Sequence, residues 1–181
     1  MTIAILGWGS LIWDPRDLPI KGGWKNDGPA LPIEFCRISG SWPLTLVIKP
    51  GFDNVNVLHT VSDDRNVKEA KMNLALREGC TTKHIGLIDS ITGDSNVSSE
   101  TNQYVPAIKE WMAVHGYDSV IWTDLPSNFK EKTGREFSIK NGIGFLKALS
   151  PERLERALHY IDNAPLQINT KLRTAIVLEF R

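Results

Sequence analysis

The residues from Gly7 to Leu11 carry the clearest chemical signal in this sequence. They read Gly-Trp-Gly-Ser-Leu and directly follow an apolar run. Glycine permits backbone conformations that a side chain forbids, so successive N–H groups can converge on one point, and Ser10 adds a hydroxyl donor. We therefore predict that Gly7, Trp8, Gly9, Ser10 and Leu11 form a substrate-binding loop for a carboxylate or a phosphate. The alternative is a tight turn with no ligand.

Nucleotide motifs do not explain this loop. It lacks both the third glycine of a dinucleotide fingerprint and the Lys-Ser/Thr ending of a P-loop. A second glycine pair, in Asn141-Gly142-Ile143-Gly144, predicts only a turn.

A second candidate is the carboxylate of Glu78, at the end of a predicted helix. Asn66 and Glu69 have the spacing of a capping box, and good helix formers continue to Gly79. At the helical period, positions 67, 70, 74 and 78 lie on one stripe, so an apolar face ends in a carboxylate. Burial would raise the pKa of Glu78 and make it a competent base.

Other interpretations of this region stay open. Glu78 can be a surface carboxylate of the last turn, and Lys71 can pair with an acid near the same stripe and lower its pKa. Cys80 and His84 can be imagined as a nucleophile and its base, but the strand predicted to begin near His84 leaves their geometry unspecified.

The histidines and cysteines predict neither a metal site nor a disulfide. His59, His115 and His159 occur singly, which is more typical of element ends and surfaces than of metal ligands. Cys36 and Cys80 lie far apart and outside any paired motif. We therefore expect no metal and a reducing cytoplasm as the compartment.

Composition and charge exclude several classes of partner. Lys plus Arg and Asp plus Glu number 21 each, with no local run of like charge, which argues against nucleic acid and anionic membranes. The residues before Gly7 predict no basic leader, and no apolar run approaches the ~20 residues of a membrane span. We expect an unexported protein with a small-molecule partner. The composition does not determine the oligomeric state.

The elements that must position the candidate residues are mostly strands. We predict strands at residues 2–6, 31–39, 44–49, 55–61, 84–89, 119–123 and 173–180, with a long loop after the first and a β-meander from 31 to 61. We predict helices at residues 67–78, 105–115 and 151–163. The 181 residues predict a single domain, 1–181. Among the tryptophans, Trp42 is expected to pack in the core, and Trp13 and Trp24 to line a pocket mouth.

The first strand, the Gly-Trp-Gly-Ser-Leu loop and the following Ile-Trp-Asp-Pro resemble the N-terminal signature of the gamma-glutamylcyclotransferase superfamily, especially its glutathione-acting branch. That branch carries Tyr-Gly-Ser-Leu, often followed by Ile-Trp-Asn-Pro, and Trp8 stands here in place of the tyrosine. The resemblance implies an α+β fold, a compact mixed β-barrel with flanking helices, whose signature loop holds the glutamyl end of the substrate. It also implies an essential glutamate in a Glu-Gly pair after a Leu-rich helix, which matches Glu78 and Gly79.

The resemblance implies cyclisation of a gamma-glutamyl amide or peptide to 5-oxoproline, with release of an amine or peptide and no cofactor. Glu78 would be the general acid and base. The alternative is a non-catalytic carboxylate-binding module on the same fold. The resemblance covers residues 1 to about 90, and the predicted closing strand is consistent with it, but residues 92–142 have no counterpart. No motif places Tyr104, Tyr117 or Tyr160 near the pocket.

Overall fold

The first strand, β1 (Ile3–Gly7), lies near the middle of the sheet in the computed structural model, which describes residues 1–40 and 43–180. Its side chains alternate between two hydrophobic cores, with Ile3 and Ile5 in one and Ala4 and Leu6 in the other. Successive strand residues face opposite sides of a sheet, so both faces of β1 are covered. The N-terminal apolar run is therefore a central strand.

The described residues form ten strands, seven α-helices and two short 3₁₀ turns. After β1, the strands are β2 (Ile20–Lys25), β3 (Ala30–Leu31), β4 (Ile33–Arg37), β5 (Thr45–Ile48), β6 (Val55–Asn56), β7 (Leu58–Ser62), β8 (Ile85–Asp89), β9 (Ser95–Asn96) and β10 (Ser119–Thr123). The helices are α1 (Ser10–Trp13), α2 (Val67–Glu78), α3 (Val105–His115), α4 (Phe129–Thr133), α5 (Ile139–Lys147), α6 (Pro151–Asn163) and α7 (Lys171–Phe180). The 3₁₀ turns are Thr82–His84 and Asn102–Tyr104.

Six strands form one mixed sheet in the order β2-β7-β1-β10-β8-β9. β1 and β10 are parallel, and the other neighbours are antiparallel. β4 pairs with β5, and β3 with β6, in two separate two-stranded sheets. The α+β class is confirmed, but the predicted closed barrel is wrong, because the sheet ends at β2 and β9. The predicted meander is confirmed only in its first hairpin, in which β4 pairs antiparallel with β5. Its third strand is wrong, because β7 pairs with β1 and β2 instead of β5.

Several local predictions are confirmed. The Asn66 side chain accepts a hydrogen bond from the Glu69 N–H (3.0 Å), and α2 ends at Gly79 with φ 65°. Ala70 and Leu74 are buried against the smaller core. The predicted α3, β10 and α6 occupy the residues expected for them.

The C-terminal segment, predicted as a strand at 173–180, is instead the helix α7. Its buried side chains, Leu172 and Ile176, lie four residues apart, which is the helical spacing. The buried carboxylate of Glu34 on β4 accepts the Leu172 N–H at the start of the helix (3.3 Å). This capping contact comes from a residue far away in sequence. Because this segment is a helix, the predicted closing strand no longer supports the resemblance.

Two glycine-containing segments also differ from prediction. Residues 141–144 lie inside α5, where the Ser138 hydroxyl accepts the Asn141 N–H (3.1 Å) at the N-terminus. A Cβ on Gly142 would stand 3.1 Å from Leu172 Cδ1, so this glycine allows α5 and α7 to pack closely. The predicted long loop after β1 contains β2, an edge strand.

No helix in residues 1–40 and 43–180 is long and apolar enough to cross a membrane. Trp42, predicted to pack in the core, lies outside the described residues.

Candidate functional site

A cavity of about 450 Å³ lies at the carboxyl ends of the parallel strands β1 and β10, beside the end of α2. This edge of a sheet is where ligands of α/β proteins commonly bind. The cavity is lined by residues 6–11, 16, 37, 39, 40, 45–47, 76–79, 123, 125 and 160. The structure therefore brings the glycine loop, defined here as residues 7–11, and Glu78 together on one cavity.

Gly7 and Gly9 are needed because a side chain would not fit at these positions, and not because the backbone adopts a conformation that only glycine allows. Neither Gly7 nor Gly9 has a positive φ, and Gly9 has φ −121°. A Cβ on Gly7 would stand 2.8 Å from Ile12 Cδ1 and from Trp24 Cζ3. A Cβ on Gly9 would overlap the hydroxyl of Tyr160. Close packing thus requires both glycines.

Tyr160 is a cavity residue that sequence reasoning missed. It is buried, and backbone N–H groups of Ser10 and Leu46 hydrogen-bond to its phenol oxygen. Burial raises the pKa of Tyr160 to about 12. The N–H groups of the glycine loop were predicted to face a ligand. The Ser10 N–H instead hydrogen-bonds to the phenol oxygen of Tyr160. The available signal was the apolar face of α6, where Ala157, Tyr160 and Ile161 are buried.

Glu78 is joined to the glycine loop through Arg77. Arg77 Nη1 donates to Glu78 Oε1 (2.7 Å), while Nη2 donates to Ser10 Oγ (3.2 Å) and to the Asp14 carbonyl (2.6 Å). The exposed fractions of these side chains are 6% for Arg77 and 19% for Glu78. Glu78 is thus largely buried, and the cation beside it is Arg77. Lys71 lines a different cavity.

Burial and charge act in opposite directions on Glu78. Burial raises the pKa of its carboxyl, and the Arg77 guanidinium lowers it by a smaller amount. The charged residues that line the cavity are Arg16, Arg37, Arg77 and Glu78. Three cations against one carboxylate favour an anionic ligand.

The remaining loop residues have packing roles as well as positions on the cavity. Trp8 is buried and its Nε1 donates to the Leu46 carbonyl (3.3 Å). Leu11 is buried in the smaller core. Trp13 and Trp24, expected at the pocket mouth, are half-buried and pack against the cores; neither belongs to the described cavity lining.

The thiols are not activated. Burial and the neighbouring Glu78 charge raise the pKa of Cys80, and burial raises the pKa of Cys36 to about 12. His84 Nδ1 lies 3.4 Å from Thr81 Oγ1, and no hydrogen bond joins it to Cys80 within the described part of the chain. A thiolate attacks far better than a thiol, so neither cysteine suits a nucleophilic role at neutral pH.

His115 lies at an element end, as expected, but His59 is buried on β7 and not at an end or a surface. The fold brings both rings to the carboxylate of Asp27, at 2.7 and 3.3 Å. His159, by contrast, is exposed on α6.

Comparisons of this chain with protein families, with curated proteins and with solved structures find no match. The resemblance to the gamma-glutamylcyclotransferase superfamily therefore stays a prediction from its motifs.

Proposed function

We propose that this chain cyclises a gamma-glutamyl amide or peptide to 5-oxoproline and releases an amine or a peptide. The observation that carries the proposal is that Glu78 and the glycine loop, the two parts of the motif resemblance, share one cavity. Its volume of about 450 Å³ suits a small molecule.

The reaction needs no cofactor, because the substrate supplies its own nucleophile. The α-amino nitrogen attacks the gamma-carbonyl carbon, a new C–N bond closes the five-membered ring, and the original amide C–N bond breaks. Holding the substrate curled for this attack can contribute up to roughly 7–11 kcal/mol in well-oriented intramolecular systems.

Glu78 is proposed to carry the proton between the two nitrogens. Its carboxylate takes a proton from the attacking amine and returns it to the leaving nitrogen, so the enzyme ends in its starting state. A base for this step works best when its pKa approaches neutral pH, and burial shifts the pKa of Glu78 in that direction.

The cations and the glycine loop are proposed to bind the substrate's carboxylate. The Ser10 oxygen accepts a hydrogen bond from Arg77, which leaves its O–H hydrogen available to donate. Arg16 and Arg37 line the same cavity. Guanidinium groups bind carboxylates in a planar, two-point manner, so these side chains favour an acidic substrate.

A specific observation also favours the second candidate, a non-catalytic carboxylate-binding module. The hydrogen bond from Arg77 at 2.7 Å occupies one carboxylate oxygen of Glu78. An ion pair of this kind opposes proton uptake, and a site with three arginines can bind an anion without turning it over.

Measuring 5-oxoproline release separates the two candidates. The purified chain is incubated with gamma-glutamyl dipeptides, gamma-glutamyl amines and glutathione, and the product is quantified by chromatography. Enzyme-dependent release from at least one of these compounds supports the cyclase. Thermal stabilisation by the same compounds without release supports the binding module, and the absence of both effects contradicts both candidates.

A further inference from the structure

Three side chains from separate elements meet outside the Glu78 cavity. Asp27 lies between β2 and β3, His59 lies on β7, and His115 is the last residue of α3. Each offers a nitrogen or oxygen ligand atom, and these atoms lie within 4.8 Å of one another. Both histidines direct Nε2 at the Asp27 carboxylate, at 2.7 Å for His59 and 3.3 Å for His115.

The contact between His115 and Asp27 is suited to a cation. His115 Nδ1 lies 2.9 Å from the Trp111 carbonyl oxygen, which only accepts hydrogen bonds, so Nδ1 carries a hydrogen. In a neutral ring Nε2 then presents a lone pair to the carboxylate oxygen of Asp27. Two acceptors at 3.3 Å repel each other unless a proton or a metal ion lies between them.

The surrounding contacts fix the three ligands in place. His59 Nδ1 lies 3.1 Å from the Tyr117 hydroxyl, and Trp111 Nε1 donates to the Asp27 carbonyl (2.7 Å). The Trp111 ring also packs edge-on against His59, with the ring centroids 4.9 Å apart. Metal-binding histidines usually have the second ring nitrogen held by such a partner, which orients the ligating one.

We propose that Asp27, His59 and His115 bind one divalent transition-metal ion, for which Zn²⁺ is the probe. Two imidazole nitrogens and a carboxylate oxygen form a donor set common at Zn²⁺ and related ions. Bond lengths near 2.1 Å place tetrahedral ligand atoms about 3.4 Å apart. The widest observed separation, within 4.8 Å, therefore closes by at most about 1.4 Å, and the 2.7 Å between His59 Nε2 and Asp27 Oδ1 opens by about 0.7 Å.

The site is open to solvent on one side. The Asp27 side chain is 60% exposed, while the His59 side chain is fully buried. Three protein ligands leave at least one coordination position, which water can fill from the exposed side. Because none of the three residues lines the Glu78 cavity, this proposal is independent of the proposed cyclase activity.

Metal titration tests the proposal. The chelator-treated, desalted 181-residue chain is titrated with Zn²⁺ by calorimetry and with Co²⁺ by visible absorption. We expect one ion per chain, a rise in melting temperature with free Zn²⁺, and ligand-field bands of a low-symmetry Co²⁺ site. Asp27→Asn and His115→Ala should each weaken Zn²⁺ binding by more than roughly 10–100-fold. That range is the usual effect of losing a residue that only hydrogen-bonds to a metal ligand.

His159→Ala is the matched control, because His159 is exposed on α6 and belongs to no such cluster in the described residues. It should leave Zn²⁺ affinity unchanged. If His115→Ala fails to fold, Asp27→Asn still tests the proposal. The Asp27 side chain is largely exposed, so we expect this variant to fold. Absence of saturable Zn²⁺ binding to the wild type overturns the proposal. Equal affinity in the wild type and the folded cluster variants overturns it as well.

Discussion

The Tyr160 hydroxyl occupies the space that a Cβ on Gly9 would need. It is held there by backbone N–H groups of Ser10 and Leu46. The glycine loop, β5 and α6 therefore meet at one phenol oxygen on the cavity wall. This contact explains why position 9 has no side chain although its φ is negative.

Gly9→Ala should destabilise the protein by about 1–3 kcal/mol, as expected for overpacking of a buried contact. It should also abolish the rise in melting temperature that 5-oxoproline is expected to give with the wild type. Urea unfolding and ligand-dependent melting measure the two effects. Gly40→Ala is the control, because Gly40 lines the same cavity and a Cβ there meets no atom of residues 1–40 and 43–180 within 4 Å. A folded Gly9→Ala variant that still responds fully to 5-oxoproline would contradict the binding role of the loop.

Tyr160→Phe should partly rescue Gly9→Ala, because it removes the oxygen that the new methyl group meets. The single change Tyr160→Phe should cost about 1–3 kcal/mol, since it leaves the Ser10 and Leu46 N–H groups without that acceptor. A double-mutant cycle measured by urea unfolding should give a favourable coupling of about 0.5–3 kcal/mol. Simple additivity of the two changes would show that the Gly9–Tyr160 contact is not the cause.

Glu78→Gln should lower the turnover number by ~10²–10⁴ while KM changes by no more than a few fold. The amide keeps the shape of the carboxylate and can still accept a hydrogen bond from Arg77 through its oxygen, but it cannot carry a proton between the two nitrogens. Steady-state release of 5-oxoproline measures the effect. Glu110→Gln, the same change on an exposed position of α3, should have wild-type kinetics. Wild-type turnover in Glu78→Gln would mean that another group is the base.

The stability of Glu78→Gln relative to the wild type should increase with pH. Burial raises the pKa of Glu78 in the folded protein above its ordinary value of 4.5. The stabilising contribution of the protonated carboxyl is thus fully present below pH 4.5 and is lost as the pH rises through the folded pKa. Gln has no such titration. Urea unfolding of both proteins between pH 4 and pH 8 should show the difference growing, whereas a shrinking difference would mean that the Arg77 ion pair dominates.

Cys80→Ser should retain wild-type activity. The pKa of Cys80 is raised by burial and by the Glu78 charge, so the side chain is a thiol at neutral pH and a poor nucleophile. Release of 5-oxoproline by the variant is the measurement. Complete inactivation of a folded Cys80→Ser variant would make the thiol the catalytic group.

Glu34→Ala should destabilise the protein by more than Glu34→Gln does. The Glu34 carboxylate is 1% exposed and accepts the N–H groups of Phe35 (2.8 Å) and Leu172 (3.3 Å). Alanine leaves both donors without this acceptor, at a cost of about 1–3 kcal/mol for each buried unpaired group, while glutamine keeps one carbonyl acceptor. Urea unfolding gives the stabilities, and amide exchange at Leu172 reports the start of α7. Equal stability of the two variants would show that Glu34 does not cap α7.

Sequence determined those elements whose signals lie within a few residues of one another. The Asn66–Glu69 capping box and Gly79 bound α2 correctly, and Pro151 opens α6 where predicted. Caps, prolines and left-handed glycines act through the local backbone, so neighbouring residues are sufficient to locate them. The glycine loop and Glu78 were identified as separate candidates in the same way, from local patterns and a motif resemblance.

Tertiary structure decided whatever depends on a distant partner. The local pattern of residues 173–180 predicts a strand, but the segment forms α7, which packs against α5 and whose Leu172 N–H donates to Glu34. The order of the strands leaves the sheet open, with β2 and β9 at its two edges. The same packing of elements places the glycine loop beside Glu78. The phenol of Tyr160 and the Asp27, His59 and His115 cluster are likewise assembled from separate elements. Such contacts depend on the packing of side chains remote in sequence, which short-range patterns do not encode.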